Sequence, residues 1–290
     1  MAARHGESRF MIVEYVVCDV FTDTPLEGNQ LGVFLDAGGL TGEQMQRLAR
    51  ELNYSESTFV LPAEGEGDAR IRIFTLAGEV PFAGHPTLGT AFVVGESRGL
   101  EEVKLETGKG VVPVRLERAG SRVVFGRMRQ PIPTVEPYDR EAELLGALGV
   151  DGSELPVELY DNGIRHVYMA LGSEEQVAAL RPDGRKLVDL GDICVNCFAG
   201  AGGRWKTRMF ASSLGASEDP ATGSAAGPLA LHLARHGRIG WGQEIEIRQG
   251  AEIGRPSKLY ARVEGGPDGV ERVEVGGSAV IVARGRFELP

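Results

Sequence analysis

Two segments of this chain, GHPTLGTA at Gly84–Ala91 and EDPATGSA at Glu218–Ala225, repeat one pattern at a constant offset of 134 residues. They share a proline, a glycine and the final alanine, and Thr90 stands opposite Ser224. A related tetrapeptide precedes each, RIFT from Arg72 and RMFA from Arg208. Two copies of one α+β unit, one in each half of a 290-residue chain, account for both echoes at once. In each copy a polar residue, His85 or Asp219, stands before a proline near a helix start, where its side chain can cap and the missing proline N–H costs nothing. The small residues that follow let a helix begin deep inside the fold. If the halves face one another, two helix N-termini with free N–H groups converge on a cleft, an arrangement suited to a carboxylate. His85 and Asp219 are expected at its mouth.

Runs of β-branched and aromatic residues bounded by turn formers predict strands at 12–21, 30–36, 57–62, 69–75 and 110–118. Met45, Leu48, Ala49 and Leu52 recur at helical spacing behind a threonine cap, predicting a helix over 41–53. Further helices are expected at 139–148 and 227–236. The stretch MRQPIPTVEP, residues 128–137, reads as the linker between two domains.

Composition removes several functional classes. A net charge of −10 with no dense Lys/Arg cluster gives no nucleic-acid footprint. The longest apolar stretches fall far short of the roughly 20 residues that span a bilayer, and MAARHGESRF lacks the apolar centre of a secretion signal. The expectation is a cytoplasmic protein with no membrane partner. Three cysteines, Cys18, Cys194 and Cys197, are too few for a disulfide framework in so long a chain. The Cys194–Cys197 pair has CxxC spacing, but no second pair exists to complete a zinc site, and its flanks lack a redox context. Coincidence is the favoured reading. Glu56, in NYSESTFV between a helix and a strand, reads on local grounds as a solvated turn acid more readily than as a catalyst.

Longer stretches carry a resemblance. DVFTDTPLEGNQLGVFLDA, ARELNYSESTFVLP, IRIFTLAGEVPFAGHPTLGTA, DNGIRHVYMAL, NCFAGAGGRWKTRMF, EDPATGSAAGPLALHLARHGRIG and QGAEIGRPS resemble, in order and over nearly the whole chain, the PhzF-like family of phenazine-biosynthesis isomerases. GHPTLG and DPATGSA are signatures of the wider family, whereas CFAGAG, GPLALHLARHG and EIGRPS are similar to its phenazine-forming branch. Residues 1–11 lie outside the resemblance. Two positions depart from it, Gln30 and Ser212, where many relatives have proline.

The resemblance implies a diaminopimelate-epimerase-like fold of class α+β, in which two pseudo-symmetric domains each wrap a mostly antiparallel sheet around a central helix. The domains would be 12–128 and 129–290, with the last strand returning to the first, and the assembly a homodimer. It further implies isomerisation of trans-2,3-dihydro-3-hydroxyanthranilate, a proton leaving C3 and returning at C1 to give an enol that becomes an aminoketone. Family roles fall on Glu56 as acid/base, on His85 and Asp219 beside it, and on Gly84, Gly223 and Ser224 as substrate-binding positions. No metal, flavin or pyridoxal cofactor is implied. Epimerases of this fold carry a cysteine pair at the two helix openings, and the presence of His85 and Asp219 disfavours a two-thiol racemase. Two other readings are an isomerase of another small carboxylate and a non-catalytic binding protein on the same fold.

Overall fold

The structure is a computed structural model that describes residues 11–211 and 216–289. Residues 1–10 and Ser212 lie outside it. Six α-helices occur among the described residues: α1 Gly42–Leu52, α2 Gly84–Arg98, α3 Glu141–Leu148, α4 Glu174–Ala179, α5 Gly184–Asp189 and α6 Gly223–Arg235. Everything else of size is strand.

The repeat seen in the sequence is a repeat of strand order. From the carboxy-terminal strand Ala279–Leu289 the ladder runs through Met11–Val20, Asn29–Phe34, Glu56–Leu61, Ala69–Thr75, Glu102–Thr107 and Gly110–Ala119 to Arg122–Gln130. Its steps are antiparallel, antiparallel, parallel, antiparallel, parallel, antiparallel, antiparallel. The same steps occur from Thr134–Pro137 through Glu158–Asp161, Arg165–Ala170, Cys194–Ala201, Arg204–Ala211, Ile245–Gln249 and Ser257–Gly266 to Gly269–Gly277. The two ladders join where Arg122–Gln130 pairs with Gly269–Gly277. Strands and their parallel crossovers wrap one central helix per half, α2 and α6.

Both central helices are buried all round, α2 from Gly84 to Gly95 and α6 from Gly223 to Ala234. That is why neither shows an amphipathic stripe. Their small residues let sheet side chains close in on every side; a methyl group on Gly227 would fall 2.5 Å from Val273 Cγ1. By contrast α1 lies outside the barrel-like sheet with one apolar face, Met45, Leu48 and Ala49, on Phe34, Phe59 and Phe74. It carries the expected Thr41 cap, completed by Gln44 in a reciprocal capping box, and ends on Asn53 at φ 56°.

Three expectations are corrected. The stretch 128–137 is not a free linker: Met128–Gln130 end a strand bonded to Val273–Val275, and Thr134–Pro137 form another. α6 begins one turn before the expected 227, with Pro228 inside it. Proline there leaves Ser224 O without its helical N–H partner, and Asn162 Nδ2 donates to that oxygen instead at 2.8 Å. Finally, neither His85 nor Asp219 is a cap. Ala83 and Thr222 hold the cap positions, and neither helix has a side-chain cap bond. His85 lies inside the first turn of α2, whereas Asp219 ends the strand Ala216–Asp219, four residues before α6. The echo at offset 134 is therefore a likeness of residue types; in the fold, Gly84 and Gly223 are the residues that open corresponding helices.

Candidate active site

The two central helices start against each other. A methyl group on Gly84 would lie 2.6 Å from Ser224 N and 2.7 Å from Gly223 C, and one on Gly223 would lie 3.2 Å from Gly84 C. Only a residue without Cβ allows the backbones so close. Geometry leaves the N–H groups of the first two residues of each helix, Gly84 and His85, Gly223 and Ser224, without an intrahelical partner, whereas Ala225 N–H already bonds to Thr222 O at 3.1 Å. The positive ends of two helix dipoles meet there.

Over this junction opens a cavity of about 720 Å³. Glu56, Gly84, His85, Asp219, Gly223 and Ser224 all line it, so the six residues singled out in the sequence are brought together. Glu56 opens the strand Glu56–Leu61, and its side chain keeps a fifth of its exposure. His85 Nε2 stands 3.7 Å from Glu56 Oε2, and neither atom has a hydrogen-bond partner among the described residues. Two unpartnered polar atoms facing one another across a cavity leave room for a ligand group that bonds to both.

A partner that the sequence reading missed holds the far side of this pair. Asn29 Nδ2 lies 3.3 Å from His85 Nδ1 and donates to Asp219 Oδ1 and to Ala221 O, each at 3.0 Å. Asp219 Oδ2 accepts from the Thr222 hydroxyl at 2.5 Å, and Gln249 Nε2 donates to Asp219 O at 2.8 Å. The loop leading into Asn29 is fixed by Arg255 of EIGRPS, which donates to Leu26 O, Glu27 O and Gly28 O and pairs with Asp19 at 2.7 Å. Gln30, one of the two departures, sits in the strand Asn29–Phe34 opposite Asp19.

Burial sets the protonation states. Desolvation raises the Glu56 carboxyl above its ordinary value, the Ser55 hydrogen bond opposing weakly. Asp219 is raised too, by burial and then by the nearby Glu56 charge. Burial takes His85 down to about 4 despite the Asp219 carboxyl, so its ring is neutral at neutral pH. Cys194 also lines the cavity, and burial with the nearby Asp219 and Glu56 pushes its thiol up to about 12. A thiol held neutral at that level is a poor base.

Cys194 and Cys197 lie three apart on one strand, Cys194–Ala201, so their side chains leave on opposite faces. Cys194 packs with Met209 and Ala211, Cys197 in the separate core of the second half. They can neither pair nor share a metal. Serine at both positions is expected to change turnover no more than about threefold, as suits buried rather than reactive cysteines; steady-state kinetics of the double variant checks this, and loss of activity restored by zinc would contradict it. The described residues do hold one cluster of metal-ligand types, Glu158, His232 and His236, at the far end of α6. There Glu158 Oε2 already faces donors from Arg235 at 3.0 Å and Tyr160 at 2.8 Å beside the two imidazoles, which is the surrounding of an ion-paired carboxylate.

Residues 18–285 match the family described as phenazine biosynthesis-like protein. The chain belongs to that family. Among curated relatives of the family, the trans-2,3-dihydro-3-hydroxyanthranilate isomerase of Pseudomonas aeruginosa is 56% identical over 275 residues, covering 95% of this chain and 99% of its own. Its counterpart in Pseudomonas chlororaphis is 54% identical over the same coverage. A solved PhzF-family structure from Bacillus anthracis superposes with a TM-score of 0.84 at 26% identity, covering 96% of this chain and 99% of the other. A hydroxyproline epimerase from Agrobacterium vitis shares the fold at a TM-score of 0.67 and 16% identity, covering 98% of this chain and 94% of its own. The diaminopimelate-epimerase-like α+β fold implied by the sequence resemblance is the fold observed. Among the described residues, no helix is long and apolar enough to cross a membrane.

Proposed function

We propose that this protein isomerises trans-2,3-dihydro-3-hydroxyanthranilate, moving a proton from C3 to C1 of the ring to give an enol that tautomerises to an aminoketone. The observation that carries this reading is the 56% identity to an isomerase named for that substrate, spanning nearly the whole of both chains. The site agrees in chemistry. A proton on carbon needs a base whose pKa is raised toward neutrality in a water-poor pocket. Of the two raised, cavity-lining carboxyls, Glu56 has an unpartnered oxygen, whereas both oxygens of Asp219 are engaged by Asn29 and Thr222. The substrate carboxylate goes to the N–H groups at Gly223 and Ser224 with the Ser224 hydroxyl, opposite Gly84. Neutral His85 and Asp219 take the ring hydroxyl and amine, holding C3 and C1 within reach of one carboxyl oxygen. Proton abstraction and return are then acid–base steps of the chain's own side chains, and the reaction draws on no cofactor. The two halves, 12–128 and 129–290 with the last strand added to the first, act as the two domains whose junction is the site.

Incubation with the dihydrohydroxyanthranilate tests the reading: its absorbance is expected to decay, with NMR resolving the aminoketone or its condensation products. A crystal soaked with 3-hydroxyanthranilate, a planar mimic, is expected to hold it at Gly223 and Ser224. An inert substrate and an empty cleft together would overturn the assignment. We further infer a homodimer, in keeping with the prevalence of two-fold assemblies; light scattering at micromolar concentration should give about twice the chain mass, and a stable monomer would contradict it.

A further inference from the structure

Behind Ser224, away from the cavity, lies a buried His–Asn pair that the catalytic scheme does not use. His166 is fully buried on the strand Arg165–Ala170 and does not line the cavity; Asn196, on the neighbouring parallel strand, is 2% exposed. His166 Nε2 stands 3.1 Å from Ser224 Oγ, the only hydrogen-bond partner of that hydroxyl among the described residues. Asn196 Nδ2 stands 3.3 Å from His166 Nδ1.

Which ring nitrogen carries the proton follows from the far side of Asn196. Its Nδ2 also faces two backbone carbonyls, Cys194 O at 3.0 Å and Val167 O at 3.4 Å. Turning the amide over would set its oxygen against both of those oxygens, so the NH2 group must face them, and hence also His166 Nδ1. Nδ1 is therefore an acceptor and the ring proton is on Nε2, where it donates to Ser224 Oγ. Burial lowers the His166 pKa to about 3, so the ring does not take a second proton near neutrality. With one of its two lone pairs engaged behind and no acceptor for its proton there, the Ser224 hydroxyl has that proton to offer to the cavity.

We propose that His166, its tautomer set by Asn196, is a positioning residue that fixes the Ser224 hydroxyl as an outward hydrogen-bond donor, making this end of the cleft selective for an acceptor group such as a carboxylate. The inference rests on the reading of Gly223 and Ser224 as the carboxylate subsite. Serine alone can turn either its proton or a lone pair to a ligand; an N–H behind it gives the hydroxyl proton no acceptor inside the protein and so turns that proton to the cavity. It does so without placing a charge in the site.

The test has a spectroscopic and a kinetic part. In the ligand-free wild-type protein with 15N-labelled histidine, long-range proton–nitrogen correlation should give His166 a protonated Nε2 and an unprotonated Nδ1, unchanged between pH 5 and about 9, as a ring titrating far below that range requires. A proton on Nδ1, or titration within that range, overturns the proposal whatever the substrate proves to be. In turnover assays, Ser224→Ala and His166→Phe should each raise KM about tenfold or more, the scale of a hydrogen bond to a charged group, with kcat changed much less. His166→Gln, whose amide can donate from nearly the same place, should recover most of the loss. If Ser224→Ala leaves KM untouched, the carboxylate reading fails; if Ser224→Ala is impaired while His166→Phe is normal, or Gln is no better than Phe in folded proteins, the positioning role fails.

Discussion

Glu56→Gln is expected to bind 3-hydroxyanthranilate much as the wild type does and to lose turnover by roughly 10² to 10⁴, the range that a positioned acid–base group contributes. Glutamine keeps the size and polar contacts of Glu56 and removes only the basic oxygen. His85 and Asp219 variants should instead raise KM and lower kcat together, because their proposed work is orientation. Near-normal turnover by the Gln variant would overturn the mechanism. The same substitution should stabilise the fold at neutral pH. Glu56 has its pKa raised on folding, so its contribution is fully present below the unfolded carboxyl pKa and is lost as pH rises through the higher folded value. Gln carries no such loss. The melting temperature of the variant relative to wild type should therefore climb from pH 4 upward, and a difference independent of pH would show that Glu56 ionises as freely in the folded protein as in the unfolded one. For the same reason wild-type kcat should rise with pH as Glu56 becomes the ionised base.

The second large effect is expected from a single methyl group. In Gly84→Ala the new carbon meets Ser224 N at 2.6 Å and Gly223 C at 2.7 Å, both backbone atoms at the start of a buried helix. Neither can swing aside, so the helix openings must separate. Overpacking of this kind costs about 1–3 kcal/mol, and an ångström of misplacement at the substrate can cost on the order of 10²-fold in rate. Loss of kcat/KM by about that factor, with a lowered melting temperature, is the expected result; wild-type kinetics in the Gly84→Ala variant would mean that the helix junction does not shape the site. Measuring 3-hydroxyanthranilate affinity alongside separates a deformed pocket from a merely less stable one.

Much of this arrangement was legible in the chain. The outer helix α1 announced itself because one face meets the sheet and the other water, so Met45, Leu48 and Ala49 fall at helical spacing. α2 gave no such signal: surrounded by sheet, it needs small and apolar residues all round, and only the GHPTLGTA pattern marked its start. The same packing explains the misplaced start of α6, since glycine and proline near its opening look like breakers when they are requirements of close approach and of cross-bonding to Asn162. Asn29, His166, Asn196 and Gln249 were not legible. Each acts through a contact with a residue 27 to 190 positions away, and nothing local distinguishes a strand asparagine that donates to another element from one that satisfies its own neighbours.

The duplicated strand order gives Glu56 a counterpart in the other half. Ser57 pairs with Phe74 of RIFT, and Val195 with Phe210 of RMFA, so the preceding residues, Glu56 and Cys194, occupy corresponding positions, and both reach the cavity. At these matching positions one half therefore places the proposed base and the other a thiol that stays protonated. An enzyme that inverts a stereocentre must take a proton from one face of a carbon and deliver one to the opposite face, which calls for working groups on both sides of the twofold axis. A site whose raised carboxyl with a free oxygen stands on one side, while Asp219 on the other is held by Asn29 and Thr222, can move a proton along a single face of a ring, from one carbon to another two bonds away. The asymmetry between Glu56 and Cys194 thus predicts a suprafacial transfer: the hydrogen delivered to C1 enters from the side from which C3 lost its own, and substrate deuterated at C3 carries part of its label across.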